Sequence, residues 1–349
     1  MKSKVMIKSV IVGIVIICIG ASVGSAYPGQ SPQPINRGTL YVGGGGPGNY
    51  TTIQAAINNA TNGDIIFVYH NTYNENIDTK LKQVTLIAEN QENTTINGLA
   101  GDAAVKIGSN HVTITGFTIN GISPEAVVQV SSLSSDVLIS HNLIKNGGYG
   151  ASLLPTSSRI TITDNTIMGQ TFVGIQLQTS TFDVITENVI ENSGGQGITL
   201  SLNSNHNSIL NNTIINSVKE AVFIEGVGST VNTISGNNLT GNQVGIRFSS
   251  AGSNTIKGNI IQGSTMEGML LQTSNDNIIE MNNFIDNKRQ ATFKISSRNT
   301  WDANYWSNWI GFKLSKPGFQ KFPKVIMGIA RMNFDWHPAK QPYNITMAL

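Results

Sequence analysis

Apolar and polar positions alternate in a phrase that returns about every 23 residues: apolar, two variable residues, Asn, one variable residue, apolar. It first reads Ile139, Asn142, Ile144, then Ile162, Asn165, Ile167, and continues to Ile279, Asn282, Phe284. The anchors Asn142, Asn165, Asn188, Asn212, Asn237, Asn259 and Asn282 stand 23, 23, 24, 25, 22 and 23 residues apart. A period in this range marks a solenoid, whose repeats bury their apolar faces only against neighbours.

Between anchors comes a second phrase, a glycine followed by alternating apolar residues, as in Gly174-Ile175-Gln176-Leu177 and Gly245-Ile246-Arg247-Phe248. Alternation with period two, bounded by Gly, Asn and Ser, is the strand signal, and the runs are too short for helices. Each repeat therefore holds about three short strands, and strands of one phase stack about 4.8 Å apart into long parallel sheets. Asn suits the anchor because it tolerates left-handed backbone at a tight corner. Its amide can also donate to, and accept from, the Asn one coil away, so the seven anchors are expected to form a structural ladder.

This pattern resembles the right-handed parallel β-helix repeat proteins, and within them the NosD-like group of the carbohydrate-binding and sugar-hydrolase helices. The resemblance runs from Tyr41 to Trp309, and its opening also fits: Tyr41-Val42-Gly43-Gly44, then Asn62-Gly63-Asp64 and the apolar run Ile65 to Val68. It implies an all-β, right-handed parallel β-helix solenoid of about ten coils; the spacing alone carries no handedness. Ile53, Ala56, Ile57 and Ala60 fall at helical spacing behind Thr51 and Thr52, which predicts a short N-terminal capping helix. Residues 41–309 are read as the β-helix and 310–349 as an irregular C-terminal cap, with Trp301 and Trp306 stacked inside it. A solenoid needs such ends, because an open edge polymerises.

Residues 1–26 carry Lys2, Lys4 and Lys8, an apolar run from Val10 to Ile19 and small residues up to Ser25-Ala26. This is the order of a secretory signal peptide, and the run is short for a membrane span. Residues 27–40 read as a linker. Cys18, the one cysteine, lies in the apolar run, so cleavage would leave no disulfide or thiolate site. Whether the segment is cleaved or kept as an anchor stays open. The expected location is secreted, periplasmic or cell-surface, with no membrane span in the mature chain, which is expected to be a monomer. Charged residues are only 12% of the chain and the net charge is +2, which gives no bulk attraction to nucleic acid. Sequons at Asn49, Asn59, Asn93, Asn211, Asn238 and Asn344 would accept glycans where the host supplies the machinery.

Because repeats are in register, outward columns can be read from the anchors. The position before the anchor places His141, Asp164 and Glu187 on three consecutive coils, where they could bind a ligand or metal or exchange protons; a solvated polar edge is the plainer reading. On the glycine-led strand, Glu225 and Arg247 read as a charged neighbour pair. By resemblance, polysaccharide lyases of this fold use clustered acidic calcium ligands with an Arg or Lys base, and hydrolases use close carboxylates. Asp164, Glu187 and Arg247 are the candidate catalytic positions here, although the hydrolase signatures are absent. The NosD association raises copper: His111 and His206 share a phase about four coils apart, and Met327, Met332 and His337 group near the end. Calcium and copper have no ligand set that supports them, so no cofactor is expected. Tyr305 and Trp309 are aromatic candidates for sugar stacking.

Three readings follow. The first is a secreted or surface β-helix that binds or scaffolds extracellular or envelope glycans. The second is a polysaccharide lyase or glycoside hydrolase. The third is a NosD-like periplasmic copper accessory protein. Neither the polymer nor any catalysis can be named from sequence.

Overall fold

The computed structural model describes residues 38–309, 323–328 and 332–345. The expected signal peptide at 1–26, most of the expected linker and much of the expected cap lie outside these residues. The described chain is an all-β parallel solenoid of about twelve turns with a single helix. The expectation of about ten coils is corrected upward. The early rungs, such as Ile65–Val68 and Thr85–Ala88, pair in the same register without an Asn anchor to mark them.

Each rung carries a leading strand before the anchor, a trailing strand after it and a glycine-led strand. Trailing strands form an eleven-stranded sheet. The other two ladders are joined into one 24-stranded network by the terminal hairpin of Lys324–Gly328 and Met332–Asp335. The sequence phrases become columns. Ile139, Ile162, Ile185, Ile209 and Ile234 stack on the leading sheet, and Ile144, Ile167, Ile190 and Ile214 on the trailing sheet. All are fully buried. Each contributes roughly 1.5–3 kcal/mol by leaving water, which is why the aliphatic positions define the rung. Glycine opens the third strand because a Cβ on Gly197 would lie 2.4 Å from Ile214 Cγ2 and 2.7 Å from the Ala221 carbonyl.

The corner chemistry differs from the expectation that the anchor itself takes the left-handed conformation. The residue before it does: His141, Asp164, Glu187 and Asn211 have φ of 53–57°, and Gly236 and Gly258 continue the column. This kink turns the next side chain inward, so each anchor is buried and acts as ladder. Asn165 receives the Asn142 N–H and side-chain amide on one oxygen, at 2.9 and 3.1 Å. Its own amide donates to Ile139 O, Thr163 O and Asn188 Oδ1. Asn188, Asn212, Asn237, Asn259 and Asn282 repeat the arrangement up to Asn304. A second ladder, Asn207, Asn232, Asn254, Asn277 and Asn299, lines the corner between glycine-led and leading sheets, with Asp183 at its head.

Both ends are closed. The helix Ile53–Asn59, N-capped by Thr52, buries Ile53, Ala56 and Ile57 on the first coil. Glu75 accepts its Ile53 and Gln54 N–H groups at 2.8 and 2.9 Å. The Gln54 side chain pairs with Asp78 backbone groups as another strand would. At the far end Trp306 stacks on Phe284 at 4.3 Å and 6°, beside buried Trp301.

Candidate functional site

The face richest in chemistry is the outside of the glycine-led sheet. Register places Gln176, Thr199, Phe223, Arg247, Leu270 and Thr292 in one outward column. Gln178 pairs with Ser201 in the next column, which continues through Glu225, Ser249, Gln272 and Lys294. This strip is polar and sparsely charged, with one aromatic ring at Phe223.

The expected pairing of Arg247 with Glu225 is overturned. Glu225 is exposed, and Arg247 Nη1 instead donates to Glu220 Oε1 at 3.1 Å. The long guanidinium reaches back along the strand axis to a carboxylate that is only 5% exposed, where low dielectric strengthens the pair. It also lies 5.3 Å from the Phe223 ring centroid, a cation–π contact, and reaches Gln272 Oε1 at 3.4 Å. Two rungs on, Glu267 accepts both Nε and Nη2 of Arg289. A shallow cavity of about 280 Å³ lies beside this pair, lined by Thr292, Phe293, Lys294 and Met327.

Polar atoms here are left over. Glu220 Oε2, Arg247 Nε and Thr199 Oγ1 are buried and find no hydrogen-bond partner within the protein, and Thr292 Oγ1 is in the same position.

The other expected positions scatter. His141, Asp164 and Glu187 do stand on consecutive rungs and are exposed. No hydrogen bond or ion pair links them; Asp164 accepts only from Thr163 Oγ1, and the His141 carbonyl accepts from Gln91. Arg247 lies on a different face. Tyr305 is half-buried and pairs with Asn283 and Ala339, and Trp309 packs partly against the core. Neither ring is presented as a platform. His111 and His206 share a column four rungs apart.

Copper would ask for converging His, Met or Cys. Met327 and Met332 face each other across the terminal hairpin, while His337 Nδ1 is engaged by Asp302 at 2.7 Å. Among the described residues no three or more His, Cys, Asp or Glu converge as metal ligands would, so these residues do not fit a copper centre.

Sequence reasoning missed Glu220, Glu267 and Arg289. Their signal was the position before each glycine-phase residue, which runs Val173, Gln196, Glu220, Val244, Glu267, Arg289 and turns charged at three of its last four rungs.

The fold and its outer face define a class, the parallel β-helices, and comparison with known proteins agrees. The family described as right handed beta helix region matches residues 84–232, and the one described as periplasmic copper-binding protein (NosD) matches residues 197–311. The chain is a right-handed parallel β-helix repeat protein, NosD-like over the second span. No curated protein matches it in sequence.

Solved structures share the fold at low identity. The A-module of mannuronan C-5 epimerase AlgE4 from Azotobacter vinelandii is 14% identical, with a TM-score of 0.64 over 72% of this chain and 82% of that one. The Dettilon tailspike protein (gp208) is 17% identical, with a TM-score of 0.60 over 70% and 56%. The catalytic domain of a GH87 alpha-1,3-glucanase is 13% identical, with a TM-score of 0.52 over 80% and 62%. No helix among the described residues is long and apolar enough to cross a membrane.

Proposed function

We propose that this is a secreted or cell-surface β-helix that binds glycans of an extracellular matrix or envelope along the outside of its glycine-led sheet, as a binding or scaffolding protein. The observation that supports this reading is the polar, sparsely charged strip on the outside of that sheet, where Gln176, Phe223, Arg247 and Gln272 are all partly exposed. Sugar hydroxyls both donate and accept, so they can serve the amides of Gln176 and Gln272 and the Arg247 guanidinium that Glu220 holds in place. Phe223 and the amides of Gln176 and Gln272 border the same strip. Proteins of this fold named for mannuronan and alpha-1,3-glucan lend support.

Cleavage has weaker support. The two buried carboxylates, Glu220 and Glu267, stand two rungs apart, about 10 Å by sheet spacing, and an arginine already engages each. A screen of polymeric sugars that reads both binding and new reducing ends separates the readings. Saturable binding is expected, with affinity falling roughly tenfold or more in Glu220→Gln, since a hydrogen bond to a charged group contributes about 1.5–3 kcal/mol. Binding that Glu220→Gln leaves untouched, or no binding by any polymer, overturns the assignment. Reducing ends released in proportion to enzyme would make it a hydrolase or lyase.

A further inference from the structure

We infer that the outer face of the terminal hairpin is a docking surface for an anionic lipid membrane, which holds this part of the rod against a cell envelope. The inference goes beyond the glycan reading and does not depend on it.

The hairpin consists of Lys324–Gly328 and Met332–Asp335, paired antiparallel. Its inward positions finish the rod: Ile326 is buried, and buried Asp335 takes the last anchor and the Trp306 indole. Its outward positions are Val325, Met327, Met332 and Phe334, and all four are exposed. Register sets Val325 opposite Phe334 and Met327 opposite Met332. Trp336, 55% exposed, continues the patch with its ring 5.3 Å from that of Phe334. Five large apolar side chains are thus exposed within twelve residues, whereas fifteen others are spread along residues 41–295. Single exposed apolar residues need no explanation, but a contiguous apolar patch marks an interaction site. A capping element is also where a solenoid needs a polar outer face to stay soluble, and the residue that Met327 pairs with one rung back is Thr292.

Charge identifies the occupant. Residues 310–349 carry six Lys and Arg against one acid, Asp335, whose carboxylate is buried and occupied. Residues 27–309 carry thirteen against nineteen. The apolar patch therefore belongs to the cationic stretch of a chain whose coils are acidic. Beside it, Met327 shares the shallow cavity with Arg289, Glu267 and Lys294; the first two engage each other, which leaves exposed Lys294 as the net charge. A second copy docking by the same face would bring two cationic stretches together, and residues 1–26, with three lysines and no acid, offer no complement. An anionic bilayer complements both properties at once: apolar side chains enter the boundary between headgroups and acyl chains, and cations meet lipid phosphates. Trp336 suits that boundary, where indoles gather, and Met327 and Met332 adapt to an irregular surface.

Quenching of tryptophan emission by brominated lipid tests this in the full chain. All four tryptophans, Trp301, Trp306, Trp309 and Trp336, follow residue 300, so any insertion of residues 1–26 is silent. Vesicles of brominated phosphatidylglycerol and phosphatidylcholine should quench the emission, and Trp336→Phe should abolish most of that quenching. Brominated phosphatidylcholine alone, or high salt, should give little. Met327→Ser combined with Met332→Ser should weaken vesicle affinity roughly tenfold or more, with the melting temperature unchanged because both side chains are exposed. Glu220→Gln should leave vesicle affinity as it is. No quenching by the anionic vesicles, or equal quenching by neutral ones, overturns the docking surface. Affinity that the double variant leaves untouched overturns the patch, and a fall in its melting temperature would make the two methionines packing elements instead. A dimer in vesicle-free solution that the double variant abolishes would assign the face to a second copy and overturn the membrane.

Discussion

Asn304 donates both its backbone N–H and its side-chain amide to one carboxylate oxygen of Asp335, at 2.9 and 3.2 Å. The anchor ladder that begins at Asn142 thus ends on an acid. The same oxygen accepts the Trp306 indole N–H at 3.0 Å, and the other accepts the His337 N–H. Asp335 is fully buried, so removing it strands three buried donors at the end of the rod. Asp335→Ala should cost on the order of 3–5 kcal/mol, whereas Asp335→Asn keeps one acceptor for the ladder and should cost much less. Denaturant unfolding followed by Trp301 and Trp306 fluorescence measures both; equal losses in the two variants would show that the ladder does not need the acceptor.

The head of the second ladder is also an acid, with the opposite consequence. Burial pushes the Asp183 carboxyl from an ordinary 3.8 up to about 7, against hydrogen bonds from the Ser180 hydroxyl and the Ile160 N–H. The Ser180 hydroxyl lies 3.0 Å from the Ser157 carbonyl as well as next to Asp183. It has one hydrogen for both, which a protonated Asp183 resolves by donating to Ser180. A raised folded value means this contribution to stability is complete below about pH 4. It is lost as pH rises towards and through about 7, because only the folded state keeps its proton in that window. Asp183→Asn, the residue that the rest of the ladder uses, should remove this slope. Its advantage over wild type should grow from near zero at pH 4 to at most about 4 kcal/mol at pH 8. Parallel stability curves for the two proteins across pH 4–8 would reject the account.

What could be read beforehand, and what could not, follows from how repetition works. The anchor ladder was legible because every rung from Asn142 to Asn282 repeats the same polar residue between two apolar ones. The second ladder was missed although Asn207, Asn232, Asn254, Asn277 and Asn299 recur at 22–25 residues, because its first rungs hold Ile160 and Asp183 instead. Strict alternation counted back from Phe223 turns Glu220 inward. The unpaired Ala221 breaks that alternation, and the carboxylate meets Arg247 on the outside.

The ladder should be cooperative along the rod. Asn188 accepts from Asn165 N–H and amide on one oxygen, and its own amide donates to Ile162 O, Thr186 O and Asn212 Oδ1. Asn188→Ala removes all of these inside a dry corner and should destabilise by about 3 kcal/mol or more. Because each rung touches only its neighbours, the loss should be local. Hydrogen exchange should quicken for Asn165 and for the rungs on either side, while the N–H groups near Ile66 and Ile279 keep their protection. Uniform acceleration along the chain would mean that the solenoid unfolds as one unit.

Glu187 separates a corner role from a catalytic one. It is exposed, its φ is 57°, and the equivalent position two and three rungs on is Gly236 and Gly258. Glycine pays no Cβ penalty in the left-handed region, which costs other residues roughly 1–2 kcal/mol there, but it frees the unfolded chain. The net expectation for Glu187→Gly is a gain of about 0.5–1 kcal/mol, with glycan binding unchanged, because the Glu220–Arg247 face lies on another sheet. The same substitution at Asp164 should behave alike, less the hydrogen bond from Thr163. Thermal melts and a binding titration on each variant decide the matter: a fall in binding or turnover without a fall in stability would return these two carboxylates to the functional site.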